Sequence, residues 1–169
     1  MSPKGFAVLA GATALSLALA AYAVAGRDLP VTAAAQPEPM FEGLLDRLNE
    51  VETVRVTAGP EKLTLKRAGE GGWVVEERGG YPVEAAKVRE LALGVANLRL
   101  VEPKTATPDR LPRLELEDPA KAEAKSRQVE LLGKGGEVLA SAVVGKAKYG
   151  LYGAGRSGMY VRRGGEEQA

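Results

Sequence analysis

The chain has 169 residues, 45% of them hydrophobic and 27% charged, with a net charge of +1. That length fits one domain plus an appendage, and the balanced charge leaves no concentrated basic surface for a nucleic acid. There is neither His nor Cys. Their absence excludes an imidazole base, a thiol nucleophile, the usual zinc ligand sets, a disulfide framework and a thiol-linked lipid.

Phe6 to Ala25 is a run of 20 residues without a charge. As a helix it would extend roughly 30 Å, the hydrocarbon thickness of a bilayer. Lys4 precedes it, and Arg27 and Asp28 follow. Residues 1–26 therefore read as a transmembrane anchor or a signal segment. The spanning length favours an anchor. The small residues of Ala21-Tyr22-Ala23, and again of Ala33-Ala34-Ala35, suit cleavage by a signal peptidase. Lys4 and the α-amino group favour an inside N-terminus, which sends the rest of the chain outside. The expected location is a single pass through the inner membrane with a periplasmic domain, or the periplasm after cleavage. Residues 27–39 contain three prolines among small residues and read as an extended linker. The domain is expected over residues 40–169.

Phe41, Leu44, Leu45 and Leu48 stand at i, i+3, i+4 and i+7, which predicts a short helix over residues 41–49. Val51 to Thr57 is rich in β-branched residues and predicts a strand. Gly59-Pro60 marks a turn. The alternation of Leu63 and Leu65 with Lys62, Thr64 and Lys66, followed by Trp73 and Val75, predicts a hairpin with those four apolar side chains inward. Gly79-Gly80 is expected to stop the sheet and Pro82 to open a helix. That helix carries Glu84, Val88, Leu91, Val95 and Leu98 at helical spacing. Residues 101–127 are charged and punctuated by Pro103, Pro108, Pro112 and Pro119, with short helical turns expected around Pro108–Leu114. A second hairpin follows, from Val129 and Leu131 through Gly133-Lys134-Gly135-Gly136 to residues 138–144. It is apolar on each face and is expected to form the buried centre. A glycine-rich loop over residues 146–158 should precede a last strand at 159–163. Strands joined by tight hairpins, with one main helix between them, predict an α+β fold with a mostly antiparallel sheet.

Gly153-Ala-Gly155-Arg-Ser-Gly158 spells G-x-G-x-x-G. The motif holds a pyrophosphate only where a strand turns into a helix, and here Met-Tyr-Val-Arg-Arg, a strand, follows. It reads as a hairpin loop, with Arg156, Lys146 and Lys148 as the nearby cations. A Ser/Lys dyad could work without histidine, and the candidate serines are Ser126, Ser141 and Ser157. Ser126 abuts Lys125 in a charged run, and sequence neighbours in a strand point to opposite faces. Glu115, Glu117 and Asp118 cluster before Pro119, a solvated acidic turn lacking the D-x-D-x-D-G calcium loop. Trp73, the single tryptophan, reads as a core anchor. Tyr149, Tyr152 and Tyr160 gather toward the C-terminus, where edge packing accounts for them. No catalytic, cofactor or metal residue emerges, and none is expected.

Several segments together resemble the bacterial domain of unknown function 4340. They are Phe41-Glu-Gly-Leu-Leu, Leu48-Asn-Glu-Val, the hairpin from Leu63-Thr-Leu-Lys-Arg to Gly72-Trp-Val-Val, and Gly80-Tyr-Pro-Val. Leu98-Arg-Leu-Val-Glu-Pro-Lys-Thr, Leu116-Glu-Asp-Pro, and Val144-Gly-Lys through Tyr160-Val-Arg-Arg complete the set. The likeness covers residues 40–168. It implies an N-terminal membrane anchor, an envelope-facing domain, no known reaction, and a link in some members to transport or gliding systems. Members usually continue past the position of Gln168, so the chain reads as a short one. The expected function is a non-catalytic, membrane-anchored accessory or interaction domain of a transport system. The alternative is a cleaved, soluble periplasmic ligand-binding domain, which would need an apolar pocket between sheet and helix.

Overall fold

A computed structural model describes residues 37–69, 71–150, 157–166 and 168–169. The apolar segment at residues 6–25 lies outside them, as do residues 27–36 of the expected linker. Among the described residues no helix is long and apolar enough to cross a membrane.

The strands are β1 (Glu38–Pro39), β2 (Thr53–Ala58), β3 (Glu61–Ala68), β4 (Gly72–Val75), β5 (Tyr81–Val83), β6 (Arg99–Leu100), β7 (Arg127–Leu132), β8 (Val138–Tyr149) and β9 (Ser157–Arg163). The α-helices are α1 (Leu44–Arg47) and α2 (Ala85–Ala96), and 3-10 turns occupy Leu48–Glu50 and Pro108–Leu114. Seven strands form one sheet in the order β5-β4-β3-β2-β7-β8-β9, and β1 pairs separately with β6. Every pairing among the described residues is antiparallel. The α+β class with a mostly antiparallel sheet holds, as do both expected hairpins. All of these residues belong to one compact unit, Pro37–Ala169.

One row of side chains organises the core. Val75, Leu65, Val54, Leu131 and Ala140 pair directly across β4, β3, β2, β7 and β8, so they share one face of the sheet. All five are buried. Val88, Ala92, Val95 and Ala96 form the underside of α2 and join the same cluster. The helix begins just past edge strand β5. Leu98, just beyond its C-terminus, shares a cleft with Met159 of the opposite edge strand β9. It therefore crosses the strands instead of running along them.

The opposite face is polar over much of its width, with Arg55 paired to Glu130 at 3.2 Å. A strap over residues 108–126 covers its β7–β9 end, where Leu111 and Leu116 bury Val143. The strap approaches β8 so closely that a Cβ at Gly145 would collide with the backbone oxygens of Leu114 and Glu115. Glu115 turns the strap there with a left-handed φ of 58°.

Five expectations are corrected. Gly79 and Gly80 do not stop the sheet: both adopt positive φ and reverse the chain, so that β5 pairs with β4. Pro82 lies in that edge strand, opposite Val74, where its missing N–H leaves no ladder bond unmade; the helix starts later, at Ala85. The expected loop at 146–158 is shorter, because β8 continues to Tyr149 and β9 begins at Ser157. Leu63 is not in the core. It pairs with Val56 one step along from the central row, beyond the reach of α2, and remains 38% exposed. The linker also ends early, since Glu38 and Pro39 pair with Leu100 and Arg99.

Two consequences are measurable by chemical denaturation. Leu65→Ala should cost about 2–5 kcal/mol, whereas Leu63→Ala should cost less than about 1 kcal/mol; equal losses would contradict the coverage described. The second concerns Glu77. Thr64 lies where β3 outlasts β4, and its backbone N–H donates to Glu77 Oε2 at 2.8 Å. That bond holds the Glu77 carboxyl below the usual carboxylate range. A depressed folded-state pKa adds stability above the unfolded value of about 4.3, and that stability is lost as pH falls through the lower folded value. The Tm gap between wild type and Glu77→Gln should be widest near neutral pH and close in acid. A gap independent of pH would contradict the assignment.

Candidate functional site

Four of the residues first considered for chemistry make structural contacts. Ser126 is buried, and its Oγ donates to the Glu117 carbonyl at 2.8 Å. Ser141 Oγ accepts from Gln128 Nε2 at 2.9 Å. Ser157 opens β9 on the surface. None of the three has a lysine partner among the described hydrogen bonds. Glu117 Oε1 accepts from the Lys125 backbone N–H at 2.6 Å, while its buried Oε2 has no protein partner. Asp118 Oδ1 accepts from the Ala120 N–H at 2.9 Å and closes a local turn. Among the described residues no group of three or more acidic side chains could hold a metal ion. Of the G-x-G-x-x-G motif, Gly153, Gly155 and Arg156 lie outside the described residues. Gly158 lies in β9, which pairs back on β8, so a strand follows the motif.

The aromatic residues divide between core and surface. Trp73 is 8% exposed, and the Arg67 guanidinium lies over its ring at 5.5 Å. Tyr149 is largely exposed at the end of β8, and Lys146 Nζ sits over Tyr160 at 5.9 Å. Tyr152 lies outside the described residues.

What remains open follows the two flanks of α2. On one flank a trough of about 550 Å³ runs between Leu91, Gly94, Val95 and Leu98 of the helix side and Val129, Val144 and Met159 of the sheet. Lys87 and Glu90 mark its rim. Leu98 and Met159 also line a neighbouring cleft of about 320 Å³, which reaches Glu102, Lys104 and Lys148. Glu102 Oε2 lies 3.9 Å from Lys148 Nζ, and its other oxygen pairs with Lys104. The hydrogen bond from Lys104 holds the Glu102 carboxyl below its ordinary range and raises the pKa of Lys104.

On the other flank a cleft of about 360 Å³ lies between α1 and α2, above the β3–β4 hairpin. Its walls include Leu45, Leu48 and Leu93, and its polar groups are Asn49, Arg67 and Arg89. Sequence reading missed this constellation. The available signal was the hairpin register, which sets Arg67 directly opposite Trp73.

No family model, curated protein or solved structure matches the chain.

The trough should bind an environment-sensitive apolar dye. Met159→Lys should weaken that binding several-fold while shifting stability by less than about 0.5 kcal/mol, since Met159 is half exposed. Unchanged dye binding in the variant would place the apolar surface elsewhere.

Proposed function

We propose that the chain is a non-catalytic, envelope-facing domain, held at the inner membrane by the apolar helix expected over residues 6–25, and that it serves a transport system by binding another envelope protein. The observation that carries this reading is the apolar trough beside α2, with Met159 half exposed on its sheet side. An apolar surface of this kind marks an interaction site more often than a catalytic one. The structural use of Ser126, Ser141, Glu117 and Asp118 supports it, because those side chains were the ones acid–base or nucleophilic work would draw on. The motif likeness to the bacterial domain of unknown function 4340 supports the anchor and the envelope location.

The same trough favours a second reading, a ligand-binding domain released by cleavage after Ala23. It lies between sheet and helix, as that reading requires, and its volume suits a small apolar ligand.

The test places a photo-crosslinking residue at Met159 in the intact chain, expressed in its native membranes. Tyr81, on the far edge strand, serves as the control site. Crosslinks from Met159 to a transporter subunit, absent from Tyr81, are the expected result. Recovery of the chain in the soluble envelope fraction, uncrosslinked and beginning at Val24, would overturn the anchored reading and favour the second.

A further inference from the structure

The cleft on the opposite flank of α2 differs from the trough in kind, and it concerns a ligand independent of the partner proposed above. Its charged lining residues are Arg67 and Arg89, and no carboxylate lines it among the described residues. Several other arginines are engaged. Arg47 pairs with Glu50 and Glu137, Arg55 with Glu130, and Arg163 with Glu166 and the Met40 carbonyl.

Arg67 is held in place. Its Nη2 donates to the Val51 carbonyl at 3.0 Å, and its guanidinium lies over Trp73. One nitrogen and one face are thereby fixed, which leaves Nε and Nη1 with no described hydrogen bond. Arg89, on the exposed flank of α2, has no hydrogen bond or ion pair among the described residues. The guanidinium fork matches an oxyanion bidentately and loses little freedom on binding when its plane is already set. Leu45 and Leu93, 52% and 38% exposed, offer apolar walls beside these cations.

We infer that the cleft between α1 and α2 is an anion site for a small ligand with an oxyanion head, carboxylate or phosphate monoester, on an apolar body. The head lies between Arg67 and Arg89, and the body lies against Leu45 and Leu93.

Trp73 makes the site self-reporting, because it is the single tryptophan of the chain and lines the cleft beneath Arg67. An anion drawing on the guanidinium alters the field at the indole. The experiment titrates the intact chain, in mild detergent, with 3-phenylpropanoate, phenyl phosphate and the uncharged 3-phenylpropan-1-ol, and follows tryptophan emission. The expected result is a saturable change with at least one of the two anions and none with the alcohol; the anion that saturates identifies the head group. Arg89→Gln should weaken binding about tenfold, the loss of one charge-assisted hydrogen bond. Arg67→Lys, which keeps the charge and removes the fork, should also weaken it. Arg110→Gln, on the strap, should leave binding unchanged. Equal binding of the alcohol, no saturation with either anion, or an unaltered affinity in Arg89→Gln would each overturn the assignment.

Discussion

One helix has to cover a seven-stranded sheet, and the rest of the structure follows from that mismatch. Seven strands at about 4.8 Å spacing make a face roughly 29 Å wide. α2 has 12 residues and is therefore about 18 Å long and about 10 Å across. Laid across the strands, it shields a band of only about three residues on each. That band is the row from Val75 through Leu65, Val54 and Leu131 to Ala140. Every member is buried, although two sit on the expected half-polar hairpin and two on the expected apolar one. One step to either side the cover thins. Leu63 and Met159 are left partly open on one side. On the other, Arg67 lies over the ring of Trp73, at the margin of the cluster that holds Val88 and Ala92.

The two flanks then acquire opposite character from what borders them. Toward β8 and β9 the border is the sheet itself, and strands β7 to β9 present Val129, Val144 and Met159, so that flank is apolar. Toward the β3–β4 hairpin the border is α1 and the hairpin's polar end, so that flank collects Arg67, Arg89 and Asn49. The second face of the sheet meets the same shortage of helix differently. There the strap over residues 108–126 supplies Leu111 and Leu116, and β8 gives way with a glycine, Gly145, where the strap's backbone crosses. A side chain at that point would push the strap off Val143.

Much of this was legible because it depends on local pattern. The helix at Leu44, the strand from Thr53, the β3–β4 and β7–β8 hairpins, the 3-10 turn at Pro108 and the buried Trp73 follow from periodicity and turn chemistry within a few residues. The misreadings share a different cause. Leu63 has the alternation of a core residue, but its burial depended on where a helix about 30 residues later would lie. Gly79-Gly80 and Pro82 carry breaker chemistry, and the same chemistry serves a tight reversal into an edge strand. The polar ends of β8 and β9, from Lys146 to Gly158, look like a loop because an edge pair needs no apolar face. The arginine cleft escaped a local reading because Arg67 and Arg89 lie on separate elements and line one cleft only through the crossing of α2.

The absence of His and Cys sharpens where function can reside. A chain without those side chains could still hydrolyse or transfer groups through Ser, Lys or carboxylates; of the candidates, Ser126 pins the strap, Ser141 accepts from a neighbouring strand and Asp118 closes a turn, while Ser157 stands exposed. The Ser126 hydroxyl is buried and cannot be withdrawn without unmaking its contact, since a buried group left unpaired costs about 1–3 kcal/mol. The clefts beside α2 are what a single crossing helix leaves open on that face of the sheet. Both are walled by α2, whose seat is the central row of the sheet. They exist only when that row is assembled, so the packing that stabilises the domain is also what shapes its open clefts.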